Sequence, residues 1–407
     1  MPHDLHHTPP DSGTYQQVHH EDAPPAHPAD DHEKHWYDLL KIRGYTQLRY
    51  SRFPNFKEND ELTIDQGDKY IGRGSGFGIR RARVIIQGDV HDRVAVYLQT
   101  DFASAIDSQN HVAIMRDWYA DVYLDAAKTF RLRLGQSKVP FGFENLQSSQ
   151  NRLPFDRNDA LNSAVKDERD LGAFAYWAPS DTRKLFKRLV DENLKGSGDY
   201  GVVGLGIYNG QTANRFDRND NFHVIGRVSV PFELGSQILE IGGGGYTGLY
   251  QVTLEDQDDK EYVTYDEDGS LRDSRAFGTF VLYPRPLGIV IEANAGVGPS
   301  QSANNDGIIK TRNVHGGYAQ IFYKIDDLFG SVSFIPYVRG TYYKGGKKFE
   351  TNAPYYDVRE VEMGIEWQLI KALEVTAAYT ITDRTSARYP YPQIQAHLAR
   401  LQVQFNY

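Results

Sequence analysis

The chain has 407 residues, a formal net charge of -9 and no cysteine. Its mean hydropathy is -0.57, and no run of about 18 apolar residues occurs, which excludes membrane-spanning helices. The missing cysteines exclude a disulfide framework and thiolate metal sites, and they suit a chain that crosses an oxidising periplasm. A transmembrane barrel survives these exclusions, because its strands hide apolar residues at every second position; the 27 Tyr would supply its aromatic girdles.

The charge is uneven. Residues 1–38 hold eight acids and one Lys, and residues 251–270 hold eight acids and one Lys; the remainder has 43 basic and 38 acidic residues, a mildly basic body. Residues 1–38 are also rich in His, Pro and Asp and lack apolar periodicity, which predicts a disordered or extended periplasmic arm ahead of one barrel over residues 39–407. The first thirty residues show neither the basic start nor the apolar core of a secretory leader. For an exported chain, this numbering would then begin after cleavage or trimming.

From Lys41 the pattern takes a period of two. A first strand over Lys41–Ser51 sets Arg43, Tyr45, Gln47 and Arg49 against Ile42, Thr46, Leu48 and Tyr50. After a Gly-rich loop, Ile79–Asp89 places Arg81 and Arg83 opposite Ala82, Val84 and Ile86. Strands follow at Val94–Phe102, with Gln99 and Asp101 on its polar face; at Arg116–Asp125, with Asp117 and Asp121; and at Phe130–Lys138, with Arg131 and Arg133. Further strands are predicted near 169–178, 200–208, 222–231, 237–250, 274–282, 289–297, 314–323, 332–343, 355–367, 373–382 and 394–407, sixteen in all. The number is even, and short connections largely alternate with long ones, as in bacterial outer-membrane barrels. Residues 179–199 break that alternation with a long charged connection, for which a short helix over Thr182–Asn193 is expected.

The last strand sets the polarity of the whole reading. Leu401, Val403, Phe405 and Tyr407 form its apolar face, and Arg400, Gln402 and Gln404 its polar face. An amphipathic strand ending on an aromatic residue is what barrel closure against the first strand requires. A soluble sandwich or propeller would also alternate. However, Arg, Asp, Gln and Tyr recur on one face of nearly every strand, and no blade repeat is present. The fold class is therefore all-β, a transmembrane antiparallel barrel of about sixteen strands in a bacterial outer membrane, facing lipid and lipopolysaccharide.

If apolar faces meet lipid, Arg43, Arg49, Arg81, Arg83, Arg131, Arg133 and Arg400 point into an aqueous lumen. Guanidiniums stay charged and offer a planar fork to oxyanions, so a lumen lined with them favours small anionic solutes. The alternative is mutual neutralisation by lumen carboxylates Asp89, Asp101, Asp117 and Asp121. Residues 138–168 form a long loop carrying Arg152, Arg157 and Lys166 beside Glu144, Asp156, Asp159 and Asp167. Folded inward, such a loop would narrow the pore.

Gly135-Gln136-Ser137-Lys138-Val139-Pro140-Phe141-Gly142, Arg169-Asp170-Leu171-Gly172, Arg80-Arg81-Ala82-Arg83 and Arg116-Asp117-Trp118-Tyr119 resemble the phosphate-selective porin O and P family. The resemblance is strongest over residues 40–178. It implies a sixteen-stranded, usually trimeric outer-membrane channel for passive diffusion, with an inward-folded third loop and an arginine-lined route to a lysine-bearing constriction. Arg81, Arg83 and Lys138 fall on matching motif positions; the third loop departs from the pattern in its mixed charge.

The arm carries most of the 13 histidines, among them His3, His6, His7, His19, His20, His27, His32 and His35. These are weak candidates for a metal-binding arm, which would make the barrel a scaffold or receptor. His32-Glu33-Lys34-His35 lacks the spacing of the zinc-protease helix. The glycines of Gly72–Gly78 lack the strand and helix of a dinucleotide site, and no Gly-x-Ser-x-Gly elbow occurs, so no cofactor, nucleic acid or catalytic role is expected.

Overall fold

The computed structural model describes residues 35–52, 54, 75–106, 109–166, 169–256, 260–264, 269–386 and 393–407. Most of the predicted arm and of the first long loop lies outside the described residues, as do His3, His6, His7, His19, His20, His27 and His32.

The chain forms β1 (Lys41–Arg52), β2 (Ser75–His91), β3 (Val94–Ile106), β4 (Gln109–Tyr123), β5 (Phe130–Lys138), β6 (Arg169–Trp177), β7 (Val203–Tyr208), β8 (His223–Leu234) and β9 (Gln237–Gln251). It continues with β10 (Val263–Thr264), β11 (Ser270–Leu282), β12 (Leu287–Ser300), β13 (Ile308–Tyr323), β14 (Ile325–Asp326), β15 (Ser333–Gly346), β16 (Tyr355–Ile370), β17 (Leu373–Ser386) and β18 (Gln393–Asn406). β10 and β14 are two-residue ladders; the other sixteen are the predicted strands, joined as one antiparallel sheet. β1 pairs with β2 on one side and with β18 on the other, from Tyr45↔Asn406 to Arg52↔Ala399, so the sheet has no edge. In lipid only a closed sheet satisfies every backbone group. At the seam Gly44 and Tyr407 exchange backbone hydrogen bonds of 2.7 and 3.0 Å. A Cβ at Gly44 would lie 2.5 Å from the Tyr407 ring, so this position needs glycine.

The faces follow the alternation. Ile42, Leu48, Leu401, Phe405 and Tyr407 are exposed on the outer wall, whereas Tyr45, Gln47, Arg49, Arg400 and Gln404 are buried inside. Tight turns and long loops occupy opposite rims, the periplasmic and extracellular ends of such barrels. Strand ends differ from the sequence reading at several places: β2, β11 and β13 start earlier than predicted, β17 ends later, and the largest difference is at β3 and β4. β3 runs on to Ile106 and β4 starts at Gln109, where the pattern suggested a strand only from Arg116. Backbone pairing of β3 with β4 continues to Ile106↔Gln109 through three register shifts, and those irregularities erase the alternation there.

Two segments fold against the inner wall. The first is residues 139–166, between β5 and β6, which includes α1 (Asp159–Ala164). The second is the connection between β6 and β7 at the tight-turn rim, which contains α2 (Ser180–Asp191) where the sequence predicts a helix. Their apolar side chains explain why the lumen is not uniformly polar. Phe186, Leu189 and Leu194 of the second segment pack with Phe143 and Leu153 of the first, against inward wall residues such as Val281, Phe322 and Tyr337. Phe141 and Leu161 meet Phe174, Tyr246 and Phe277.

Candidate functional site

The β5–β6 segment is tied to the barrel through its carboxylates. Asp156 pairs with Arg49 of β1 at 3.4 Å, Arg80 of β2 at 3.7 Å and Arg400 of β18 at 2.5 Å. Burial pushes the Asp156 carboxyl up, but Arg49, Arg400, Arg80 and Arg81 outweigh it and hold the group well below the usual carboxylate range. Glu144 accepts from Arg339 of β15 at 2.8 Å and from Asn158 at 2.7 Å. Asn158 in turn caps α1 through Leu161 N–H at 2.9 Å. Asp159 pairs with Arg384 at 2.9 Å and Lys347 at 2.7 Å. From the wall side, Glu292 of β12 accepts the backbone N–H groups of Phe143 and Glu144 at 3.0 and 2.9 Å.

The α2 segment is fastened in the same way. Lys195 donates to Glu366 at 2.5 Å, Asn193 reaches Ser333 at 3.1 Å, and Asp199 accepts from Arg183 at 2.8 Å. Gln147 of the first segment donates to the Lys195 carbonyl at 2.6 Å. The two segments thus form one connected body tied mainly to the inner faces of β12 to β18, with further ties to β1, β2 and β5.

On the opposite side the body leaves a chamber of about 220 Å³ against the β2–β6 wall. Arg83, Arg133, Lys138 and Arg169 line it, with Asp117 and Asp199 as its only carboxylates. The wall cations are held by carboxylates from neighbouring strands: Arg83 by Asp101 at 2.9 Å, Arg133 by Asp121 at 2.8 Å, and Arg169 by Asp117 at 2.6 Å. Lys138 donates to the Gln147 and Leu146 carbonyls at 2.6 and 3.2 Å. Asn151 and Val190 border both this chamber and a vestibule of about 980 Å³ at the tight-turn rim. Tyr97 and Tyr119 border both it and a second opening of about 420 Å³.

A second cationic cluster lies beside the chamber. Between Gln47 and Leu48 the β1–β2 register slips, so that Arg80 is an extra residue. Such a bulge re-aims a side chain. Phe77 faces out and Arg81 and Arg83 face in, and Arg80 joins them to reach Asp156. Arg81 donates to Gln47 at 2.6 Å. Its charged neighbours are Arg80, Arg152 and Arg83. Among the described residues no carboxylate lies within ion-pair distance of Arg81.

The other sequence candidates scatter. Arg43 donates to Gln87 at 3.4 Å, Arg131 pairs with Asp121 and Asp199, and Arg157 reaches Asn145 at 3.3 Å. Lys166 is half-buried at the end of the inserted segment. His35 stacks on Tyr37 at the barrel entrance. Among the described residues no cluster of His, Cys, Asp or Glu could hold a metal. Sequence reasoning missed Arg80, whose inward aim depends on the bulge, and the lumen partners Arg339, Arg384, Lys195 and Glu362. Arg339, Glu362 and Arg384 sit on alternating polar strand faces, whereas Lys195 lies in the β6–β7 connection, where no alternation marks it.

A family model described as "Phosphate-selective porin O and P" matches residues 58–407. No curated protein matches. Among solved structures, the outer membrane channel DcaP of Acinetobacter baumannii superposes with a TM-score of 0.54 at 10% identity, covering 90% of this chain and 97% of that one. The in-vitro folded outer membrane protein OmpT of Vibrio cholerae gives 0.51 at 12% identity, covering 91% and 100%. An anion-selective porin from Comamonas acidovorans gives 0.51 at 10%, covering 90% and 99%. At these identities the likeness shows the barrel fold alone.

Proposed function

Because the chain belongs to the phosphate-selective porin O and P family and is an outer-membrane porin, we propose that it is a passive channel for small hydrophilic solutes biased toward anions, phosphate among them, and that it works as a homotrimer. The observation that carries the bias is Arg81. A buried guanidinium beside Arg80, Arg83 and Arg152, with Gln47 as its side-chain acceptor and Asp156 beyond ion-pair distance but within electrostatic reach, concentrates positive charge at this point of the lumen. The chamber lining adds Arg83, Arg133, Lys138 and Arg169 beside Asp117 and Asp199, with Asp101 and Asp121 behind it as the partners of Arg83 and Arg133. Together they attract anions and repel cations without a gate.

The route runs from the long-loop rim, past the inserted segment, through the chamber and out by one of its two openings. The inserted segment sets the constriction. Transport is diffusive, and the side chains act as a charge filter rather than as reactants. The test is reversal potential in planar bilayers across a tenfold KCl gradient. A potential of the sign set by chloride is expected. A cation-selective potential would overturn the bias, and absence of conductance would overturn the channel.

A further inference from the structure

We propose that the outer wall over β11–β16 carries a binding groove for one phosphate-bearing lipid of the outer leaflet, with acyl chain against a floor of small residues and phosphate at Arg359. The inference needs only the outer-membrane barrel and is independent of the anion bias of the lumen.

The first argument is shape. A concavity of about 880 Å³ lies in the outer face between β11 and β16. That falls within the roughly 300–1,000 Å³ of sites that enclose a small ligand. Directly paired residues of neighbouring strands share a face, and the floor follows two such rows. One row runs Gly278, Ala293, Gly317 and Tyr342 and ends on Arg359. The next row toward the tight-turn rim holds Ile291, Ala319, Gly340 and Val361.

The second argument is that packing within the chain does not demand these small residues. A Cβ added at Gly278 or Gly340 would meet no atom within 4 Å. Neither glycine has a positive φ. Glycine inside a strand weakens it, so its use where a larger side chain would fit needs another reason. On β16 the same outward layer is filled by Val361, Met363 and Ile365. The groove is therefore a gap in the apolar coat of the barrel, open to the lipid side.

The third argument is charge. The row next to the floor on the side of the long-loop rim sets Lys344 opposite both His315 and Asp357. Asp357 lies 3.8 Å from Lys344 and 3.8 Å from Arg359, so one carboxylate is shared by two cations. The Arg359 side chain is 72% exposed. Its outward neighbour Val361 begins the apolar band, which puts the guanidinium at the level where chains give way to headgroups. A guanidinium with half a share of one carboxylate suits a phosphate oxyanion, and a neutral lipid would leave it underpaired. The gap below takes the chain of the same molecule. A free phosphate would use the charge and leave the gap empty.

The test uses the full-length protein in detergent micelles. Native mass spectrometry counts lipid retained per subunit during titration with diphosphoryl lipid A, its dephosphorylated form and inorganic phosphate. One diphosphoryl lipid A per subunit is expected, with half-saturation about tenfold below that of the dephosphorylated form, the worth of one charge-assisted contact. Arg359→Gln leaves Lys344 and Asp357 as a neutral pair, and Gly340→Leu fills the floor. Each should raise the half-saturation about tenfold and leave conductance and reversal potential unchanged, because both positions lie outside the lumen. Gly278→Leu gives the same reading if Gly340→Leu fails to assemble. Equal retention of the two lipid forms, or unchanged retention in Arg359→Gln, would overturn the phosphate contact. Unchanged retention in the leucine variants, or displacement by equimolar inorganic phosphate, would overturn the groove. Loss of subunit association in these variants would assign the face to a second copy of this chain instead. A protein that retains lipid A in this pattern but passes no current would remove the channel and leave the lipid site standing.

Discussion

Two walls of the lumen use the same residues for opposite ends. In β2–β6 three arginines take carboxylates from the wall itself, Arg83 from Asp101 and Arg133 from Asp121 on the next strand and Arg169 from Asp117 two strands away, while Arg80 and Arg131 also reach Asp156 and Asp199 of the inserts. Along β1 and β15–β18 the inserted segment supplies most of them, Asp156 to Arg49 and Arg400, Glu144 to Arg339 and Asp159 to Arg384, with Glu362 and Glu360 of β16 as further partners of Arg400 and Arg384. Pairing within the wall leaves that wall facing open space. Pairing from wall to segment pins the segment and fills the space. The placement of the acids therefore distinguishes the two walls more than the placement of the arginines does.

The largest expected effect comes from breaking the second wall. Asp156→Asn leaves Arg49, Arg80 and Arg400 around a neutral amide. Removing one partner of a buried ion pair costs about 3–5 kcal/mol. The melting temperature of the folded barrel, followed by gel mobility after heating, should drop. Single-channel current should become larger and noisier as the segment loosens. A quiet, wild-type current would show that Glu144 and Asp159 hold the segment without Asp156, and the two walls would then differ less than their pairing suggests.

The same cut in the first wall should do less. Arg133→Gln leaves Asp121 with Arg131 at 3.6 Å, so the buried carboxylate keeps a partner. A loss of about 1–3 kcal/mol is expected, typical of a removed hydrogen-bonding partner. Conductance should be steady but less anion-selective. Noise equal to that of Asp156→Asn would mean that the β2–β6 wall also supports the inserts.

How far the sequence foresees this contrast depends on the residue. Alternation placed Arg49, Arg83, Arg133 and Arg400 inside, because inward parity is a local property of a strand. The same parity belongs to both walls, so the choice of partner was invisible: Asp156 lies 107 residues from Arg49 and 244 from Arg400. Asp156 could be read as a loop acid but not as the centre of three guanidiniums. Arg80 defeated the pattern for a different reason, since a one-residue bulge inverts parity without any turn residue to announce it. The α2 helix was legible from its charged connection. Its docking inside the mouth was not, because Phe186 and Leu189 say only that one helix face is apolar.

A smaller effect is expected at Arg81, which belongs to neither pairing scheme. Arg81→Gln removes a charge that is repelled by Arg80, Arg152 and Arg83 and whose attraction to Asp156 is weaker than those of Arg49, Arg400 and Arg80, so stability should change little. The reversal potential should shift toward zero while the current stays quiet. A fall in stability would show that the hydrogen bond to Gln47 matters more to the β1–β2 seam than the repulsion does.

The smallest effect concerns pH, and it isolates the clamp from the filter. Asp156 is raised by burial but lowered further by Arg49, Arg400 and Arg80, so its folded value lies below the unfolded value of about 3.9. The unfolded chain then binds the proton more readily, and the stability from this group is fully present above about pH 3.9. It declines as pH falls through the folded value. Between pH 4 and 8 the Asp156 clamp should therefore contribute nothing to any change in melting temperature or current noise. Below about pH 3.9 the wild-type protein should lose stability more steeply than Asp156→Asn, which has no proton to take up. Equal acid slopes in the two proteins would mean that other carboxylates govern acid opening, and that the wall facing the inserted segment is held by many weak ties rather than by one strong one.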